Sequence, residues 1–279
     1  MGAAKYSVEQ EKQIVEEYRQ GISVEVLCQK YGYKGKKSIM DKVKKYHPDD
    51  YQEIIKEAQQ NRKTWSLSLE RIKSNFDAYL IGLLLTDGYV GDRGVGLDLI
   101  DEDCIAFISK QTKKNYHTYD YSDNDKAFDK YDRKPRHRIL FNDNILIQQL
   151  ERFGITRNKT LNLQPPQLFD EEYQFLPYLI RGIIDGDGCV FENSNNKKIN
   201  IYIVTASKVF AEWVAKMLRE RLFLQGVAIN EKTKANDTDA QLYKVEIYRE
   251  NDIKKIAALV YDEPFGMERK FAKIDAQRL

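Results

Sequence analysis

The sequence has little of the chemistry that builds a disulfide scaffold or a zinc site. Its 279 residues include only three cysteines, Cys28, Cys104 and Cys189, and three histidines that lie apart from them. An odd number of widely separated cysteines argues against a disulfide framework and is typical of a reducing compartment. Without finger-like spacing of thiolate and imidazole ligands, a structural zinc site is not expected either.

Long apolar runs and a secretion signal are also missing. The longest apolar stretch, around Leu80 to Leu85, is far shorter than the roughly 20 residues that cross a bilayer. We therefore expect a soluble protein that is not secreted and does not bind membranes. The length allows about two domains, and a hydrophobic content of 42% suffices for sizeable cores.

What the chain does have is one unusual segment twice, about a hundred residues apart. LIGLLLTDG ends at Gly88 and LIRGIIDGDG ends at Gly188, and each is an apolar run that finishes in Asp-Gly. Each segment predicts a helix that stops at its glycine, with the glycine in the left-handed cap conformation. One such helix is common and usually means core packing before a turn, but repetition at domain-like spacing is hard to obtain by accident.

The aspartate before each glycine is placed unfavourably. A helix C-terminus already carries roughly half a negative charge, and partial burial adds a further cost, so we expect a cationic group to offset Asp87 and Asp187. Each helix also carries small residues one turn apart, which are Gly82 and Thr86 in the first and Gly182 and Gly186 in the second. Small residues on one face let two helix backbones approach closely. Packed about a pseudo-twofold axis, the helices would bring the two carboxylates together as a divalent-metal site.

These segments resemble the motifs of the LAGLIDADG homing endonuclease family in its single-chain, double-motif form. In that family each motif forms a helix at the interface of two similar subdomains, and its penultimate aspartate binds the catalytic metal. The resemblance gives this role to Asp87 and Asp187, and leaves open whether the backbone at Thr86 adds a ligand. The first motif departs from the consensus at Leu85 and Thr86, whereas the second keeps Asp185, which we interpret as structural because it faces elsewhere on the helix.

The resemblance implies an α+β fold. Two pseudo-twofold-related αββαββα subdomains, residues 76–163 and 164–279, would follow a linker at 61–75, and their antiparallel sheets would form a saddle over DNA. Alternate residues of a strand share a face, so polar strand residues are the candidate base readers. They are Tyr119, Tyr121, Arg136, Arg138, Asn200, Tyr202, Lys232, Lys234, Lys244 and Arg249. Tyrosine is also frequent in ordinary sheets, and a one-residue slip in register would reverse every face.

Residues 1–60 predict three short helices with glycine turns. They run from Ser7 to about Gln20, from Ser23 to about Tyr31 and from Lys36 to Tyr46, an order typical of a helix-turn-helix module. The stretch from 30 to 45 has seven lysines against one acid, which favours a polyanionic partner. Candidate DNA contacts are Lys36, Lys37, Ser38 and Lys42. The alternative is a small helical bundle with a solvated lysine-rich face.

Two further lysines occupy matching places in the repeats. NKT contains Lys159 and RKF contains Lys270, each after the last predicted helix of its repeat. In the family a basic residue there lies near the metal, so the resemblance implies catalytic roles for Lys159 and Lys270 beside Asp87 and Asp187. Such a cation polarises the attacking water or stabilises the charged phosphate. Each could instead be a surface lysine.

Together these features predict a site-specific double-strand DNA endonuclease encoded in an intron. The expected cofactor is Mg²⁺, with Mn²⁺ as a substitute and Ca²⁺ supporting binding without cleavage. The partner would be double-stranded DNA with a long, asymmetric target, bound by a monomer inside a bacterial or phage-infected cell or an organelle. Two alternatives stay open: a non-cleaving LAGLIDADG protein that acts as an RNA-splicing maturase or DNA-binding regulator, and a purely structural protein. The presence of both acids favours the enzyme.

Overall fold

The computed structural model describes residues 6–63, 67–92, 94–119, 134–192, 198–232 and 240–277. The chain divides into two compact units, residues 1–66 and 67–279. Among the described helices, none is both long and apolar enough to cross a membrane.

The first unit is a bundle of four helices. They are α1 (Val8–Arg19), α2 (Val24–Lys30), α3 (Lys37–Tyr46) and α4 (Tyr51–Lys63). Ser7 and Ser23 cap α1 and α2 as the sequence predicts, because their side chains accept bonds from the backbone N–H three residues later. Gly21, at φ +95°, ends α1. Side chains on one face of each helix form a common core that includes Ile14, Leu27 and Ile39.

The second unit contains one order of elements twice. The first copy has α5 (Asn75–Thr86), β1 (Gly88–Val90), β2 (Val95–Leu99), α6 (Glu102–Thr112), β3 (Tyr116–Tyr119), β4 (Arg136–Phe141) and α7 (Asn144–Glu151). The second copy has α8 (Leu176–Asp187), β5 (Gly188–Glu192), β6 (Ile199–Thr205), α9 (Lys208–Glu220), β7 (Val227–Lys232), β8 (Leu242–Ile247) and α10 (Glu250–Leu259). Helix α11 (Glu268–Asp275) follows, and two 3₁₀ turns, Lys159–Leu161 and Asp170–Phe175, lie between the copies.

Each copy builds a four-stranded antiparallel sheet, in the order β1-β2-β4-β3 for the first and β5-β6-β8-β7 for the second. The register pairs Leu97 with Ile139 on the buried face and Asp98 with Arg138 on the opposite face. The second sheet alternates in the same way, because Ile201, Ile203 and their neighbours in β8 are buried while the residues between them are not. The α+β fold with two similar halves is therefore confirmed.

The glycines that end the motif segments behave differently from the prediction. Gly188 has φ −81° and ψ 149°, an extended rather than a left-handed conformation, and Gly88 also lacks a positive φ. Each helix runs almost directly into a strand, so neither glycine adopts the left-handed cap conformation. Glycine is required for a different reason: a methyl group on Gly88 or Gly188 would overlap the backbone of Leu84 or Ile184 one turn earlier.

Candidate metal and nucleic-acid site

Helices α5 and α8 pack with their backbones in direct contact. A methyl group built on Gly82 would lie 2.8 Å from Gly182 Cα and would overlap the carbonyl oxygen of Leu179. The reverse holds for Gly182, whose added methyl would overlap the carbonyl oxygen of Tyr79. The close approach predicted from the small residues is confirmed. Only glycine fits at either position without separating the helices.

The contact continues to the end of both helices and places the motif acids side by side. A methyl group on Gly186 would overlap the Thr86 hydroxyl and come within 2.9 Å of Asp87 Oδ2, so the Asp87 carboxylate lies against the last turn of α8. Asp87 is the C-cap residue of α5, and Asp187 is the last residue of α8. Within the described part of the chain, neither carboxylate has a hydrogen-bond or ion-pair partner.

Both carboxyl groups hold their protons more tightly than usual. Loss of hydration and then the negative charge of Asp187 raise the pKa of Asp87 to about 6, against the opposing influence of Lys270 and Lys159. Loss of hydration also raises the pKa of Asp187, with the same two lysines opposing it. Although the Asp187 side chain is exposed on one side, the surrounding protein restricts its hydration on the others. The pair is thus an electrostatically strained arrangement that a bound cation would relieve.

The two lysines predicted from the matching segments lie at the same helix ends. Lys159, in the first 3₁₀ turn, donates from Nζ to the Thr86 carbonyl oxygen at 3.0 Å. Lys270, in α11, donates to the carbonyl oxygens of Ile184 at 2.8 Å and Gly188 at 2.7 Å, and also to that of Asp185. Both side chains are buried, and this burial lowers the pKa of each lysine while the nearby aspartates oppose the shift. The structure therefore brings all four predicted catalytic residues together.

The donor set suits a hard divalent cation. The described residues contain no group of three or more histidine, cysteine, aspartate or glutamate side chains arranged to hold a metal. Mg²⁺ is typically bound by one or two carboxylates, with substrate phosphate and water oxygens completing its shell. Asp87 and Asp187 match that pattern. The Thr86 carbonyl oxygen, a candidate backbone ligand, already accepts a bond from Lys159.

A buried polar network behind α8 was only partly expected. Asp185 is fully buried and accepts bonds from the Tyr261 hydroxyl at 2.6 Å, the Tyr79 hydroxyl at 2.8 Å and the Met267 N–H at 3.2 Å. Arg181, also fully buried, donates to the backbone carbonyls of Glu263 and Phe265. Arg181 was not predicted as a structural residue, although its position as a cation inside an apolar motif was the available signal.

The outer face of the first sheet carries several of the predicted base readers. Arg136, Arg138 and Tyr119 share this face, as the register requires. Arg138 donates to Asp98 Oδ2 from Nη2 at 2.6 Å and from Nε at 3.1 Å, and its guanidinium lies 4.8 Å from the centre of the Tyr119 ring. Asp98 was missed by the sequence analysis because its partner lies on another strand. Tyr121 is outside the described residues.

The outer face of the second sheet carries Asn200, Tyr202 and Lys244, with Lys232 exposed at the end of β7. Lys244 Nζ lies 3.0 Å from a carboxylate oxygen of Glu246 on the same strand. Arg249 does not lie on a strand: it is the N-cap residue of α10, because β8 ends at Ile247. Lys234 falls outside the described residues.

In the first unit, acidic residues hold several of the predicted contacts. Lys36 pairs with Glu25, and Lys42 lies 3.1 Å from Glu11, which also binds Lys45 at 2.8 Å. Ser38 is half-buried and Lys37 is exposed. Among the lysines between residues 30 and 45, all of which the structure describes, three that are exposed have no ion-pair partner: Lys34, Lys37 and Lys44. The last two lie seven positions apart on α3 and so share a face.

The chain is similar to several known proteins in sequence or in structure. The model of the LAGLIDADG-like domain matches residues 175–261. The homing endonuclease I-WcaI bound to its DNA recognition sequence is similar in structure, with a TM-score of 0.53 and 16% identity, covering 78% of this chain and 92% of that one. The LAGLIDADG meganuclease I-AabMI bound to uncleaved DNA gives a TM-score of 0.41 and 13% identity, covering 71% of this chain and 88% of that one.

A sequence relative comes from Methanocaldococcus jannaschii, the uncharacterized protein MJ1054. It is 31% identical over 127 residues, which make up 44% of this chain but only 14% of that protein. Residues 175–261 therefore match a LAGLIDADG-like domain, and the chain shares its fold with the homing endonuclease I-WcaI.

Proposed function

We propose that the protein is a site-specific endonuclease that hydrolyses phosphodiesters in both strands of DNA, with a divalent metal held between Asp87 and Asp187. The observation that carries this proposal is the pair of partnerless carboxylates at two adjoining helix ends. Loss of hydration and then the negative charge of Asp187 raise the pKa of Asp87 to about 6, so the ionised carboxylate costs folding free energy. A purely structural protein would gain by replacing either acid, whereas a metal site requires both.

The chemistry of such a site is metal-assisted hydrolysis. A bound divalent cation, Mg²⁺ or Mn²⁺, would activate water and offset charge on the scissile phosphate. Asp87 and Asp187 supply the oxygen ligands, and the glycine contact between α5 and α8 fixes how far apart these carboxylates stand. Lys159 and Lys270 place positive charge at the helix ends, where it offsets the carboxylates and any phosphate that approaches them.

The outer sheet faces are the proposed surface for double-stranded DNA. Arg138 is held in place by Asp98 and Tyr119, and a fixed guanidinium is suited to bidentate binding of guanine in the major groove. Asn200, Tyr202 and Lys244 would serve in the same way on the second sheet. Because the two faces carry different residues, the target of a monomer need not be palindromic.

The first unit would extend this footprint as a helix-turn-helix-like module. Helix α3 presents Lys37 and Lys44 without acidic partners, so their charge is available to phosphates. Lys36 and Lys42 are held by Glu25 and Glu11 and therefore contribute less than the sequence suggested. Outward-facing cations on one short helix match the way such modules meet a DNA backbone.

A second candidate keeps the binding surfaces and abandons cleavage, as an RNA-splicing maturase or a DNA-binding regulator. The same outer faces and lysines support it. Retention of both motif acids, at a cost to folding, favours the endonuclease. An intracellular, intron-encoded enzyme fits the reduced cysteines, since every cysteine that the structure describes is free.

The test starts with a pool of randomised DNA duplexes incubated with the protein and Mg²⁺. Cut products are sequenced to recover the target, and cleavage of that target is then compared in Mg²⁺, Mn²⁺ and Ca²⁺. We expect double-strand cuts in Mg²⁺ and Mn²⁺, binding alone in Ca²⁺, and loss of cleavage but not binding in Asp87→Asn and Asp187→Asn.

Asp170→Asn is the matched control, because Asp170 is exposed and lies outside the site. A protein with Asp187→Asn that still cuts at the wild-type rate would overturn the assignment. Tight binding without any cut would favour the maturase or regulator.

A further inference from the structure

Lys159 and Lys270 occupy matching places in the sequence, but their ammonium groups are engaged very differently. Lys270 donates to four backbone carbonyl oxygens at the end of α8, those of Ile184, Asp185, Gly186 and Gly188. Lys159 donates to one, that of Thr86. An ammonium group has three hydrogens. Those of Lys270 are therefore used within the protein, whereas Lys159 keeps donors available.

Sequence differences between the two halves explain why Lys270 makes more backbone contacts than Lys159. When the halves are aligned on Gly82 and Gly182, the buried Arg181 corresponds to Ile81 and the buried Asp185 to Leu85. Arg181 binds the carbonyls of Glu263 and Phe265, and Asp185 accepts the Met267 N–H. This network fixes the segment that leads into α11. Aliphatic side chains at 81 and 85 cannot form such bonds.

Gly266 fits the same arrangement. Its φ is +78°, and an added methyl group would overlap the Tyr79 hydroxyl and come within 2.6 Å of Asp185 Oδ2. The chain therefore passes directly over the Asp185 carboxylate before α11 begins. A side chain at position 266 would push this segment, and Lys270 with it, away from α8.

Helix α11 is also fixed from its other side. Arg269 Nε lies 2.5 Å from Asp101 Oδ1, and the Glu268 N–H donates to Asp103 Oδ2 at 2.6 Å. Lys270 consequently follows two residues that are both bound to the loop and helix start at Asp101 and Asp103. Lys159 instead follows Asn158, whose φ is +55°, and lies in a single 3₁₀ turn.

We propose that the two lysines have different tasks: Lys159 is the cation that faces a substrate phosphate, and Lys270 is a positioning residue that braces the end of α8 and so orients Asp187. This inference rests on the proposed endonuclease function. Its consequence is that the two halves of the site are chemically unequal, and that one DNA strand is cut before the other.

The test compares Lys159→Met and Lys270→Met with a matched control, Lys273→Met, on the same helix as Lys270. The Lys273 side chain is exposed and donates one long bond, at 3.3 Å, to the Val190 carbonyl. The first measurement is thermal unfolding of the metal-free full chain. We expect Lys270→Met to lower the melting temperature by at least about 5 °C, and the other two variants by less than about 2 °C. Equal decreases in melting temperature for Lys159→Met and Lys270→Met would overturn the positioning role proposed for Lys270.

The second measurement follows each strand of an end-labelled duplex that carries the selected target, in Mg²⁺. Wild-type protein should accumulate a duplex nicked in one strand, and Lys159→Met should slow one strand by about a hundredfold or more while the other changes little. Equal cutting of both strands by the wild type, or an equal loss on both strands in Lys159→Met, would refute the unequal halves.

Two further results separate this inference from the proposed function. If Lys270→Met does not fold, Lys270→Arg replaces it, because a guanidinium group still donates to the carbonyl oxygens. A near-normal melting temperature with retained DNA cleavage would support a positioning role for Lys270. Loss of cleavage at a normal melting temperature would refute that role. If the wild type cuts no DNA, the proposed function fails, and the unfolding comparison still decides whether Lys270 is a brace.

Discussion

Replacing Asp87 with asparagine should stabilise the metal-free protein while abolishing its activity. The amide keeps the size of the side chain and removes a negative charge that lies next to Asp187. In the folded protein the pKa of Asp87 is raised from 3.8 to about 6, and one pH unit corresponds to about 1.36 kcal/mol. The full pKa difference would lower the free energy of unfolding of the wild type by roughly 3 kcal/mol at pH 8. Partial exposure of the carboxylate reduces the expected cost to about 1–2 kcal/mol.

The sign of the pH dependence follows from the direction of the shift. The folded state binds the Asp87 proton more tightly than the unfolded state, so the contribution of Asp87 to wild-type stability is highest below pH 4, falls as the pH rises from about 4 to about 6, and then levels off. Asp87→Asn lacks this fall. Its advantage should therefore be about twice as large at pH 8 as at pH 5.

The assay is urea unfolding in EDTA, followed by circular dichroism at pH 5 and pH 8, with Asp170→Asn as the control. Adding Ca²⁺ should then stabilise the wild type and leave Asp87→Asn nearly unchanged, because a cation stabilises only the form that binds it. An Asp87→Asn protein that is no more stable than the wild type at pH 8 would refute the claim that burial and Asp187 destabilise the ionised Asp87 carboxylate in the folded protein.

Three other changes test separate parts of the structure. Gly82→Ala should lower the free energy of unfolding by about 3 kcal/mol or more, since the added methyl group overlaps the backbone of α8. Urea unfolding measures this loss, with Gly35→Ala as the control because its methyl group would contact nothing within 4 Å. Equal stability of the two variants would contradict the helix contact. Arg138→Ala should relax base preference at one target position at a cost of about 1–3 kcal/mol in binding, read by competition among single-base variants; a uniform loss would mean phosphate contact instead. The double variant Lys37→Gln, Lys44→Gln should reduce the slope of the logarithm of the DNA-binding constant against the logarithm of salt concentration by about 1–2. Lys42→Gln should change this slope less, because Lys42 is paired with Glu11. The reverse order would show that the acid-paired lysine binds DNA.

The order of elements was predictable because local patterns determine it. Alternation of apolar and polar residues identifies strands such as β6, and Ser7 and Ser23 mark helix starts by hydrogen bonding. The glycine spacing in the two motifs was enough to anticipate the close helix pair. Each of these signals lies within a few residues of the element it specifies.

Helix α11 escaped prediction because it is short, mostly polar and held by distant partners. Its position depends on Asp101, Asp103 and Asp185, which lie far away in the chain. The same limit applies to the lysines of α3, since Glu11 and Glu25 decide which of them stay available. The conformation of Gly188 was mispredicted because a strand, rather than a turn, follows the helix.

Backbone contact between α5 and α8 has a consequence for how such a protein can change over time. The distance between the two acids is set by main-chain atoms at Gly82 and Gly182, not by the packing of replaceable side chains. The outward residues of the sheets alternate with buried ones, so they can be exchanged without disturbing that distance. Recognition can therefore drift from one DNA sequence to another while the chemistry stays where it is, and a lineage of such proteins could acquire new targets by surface substitutions alone.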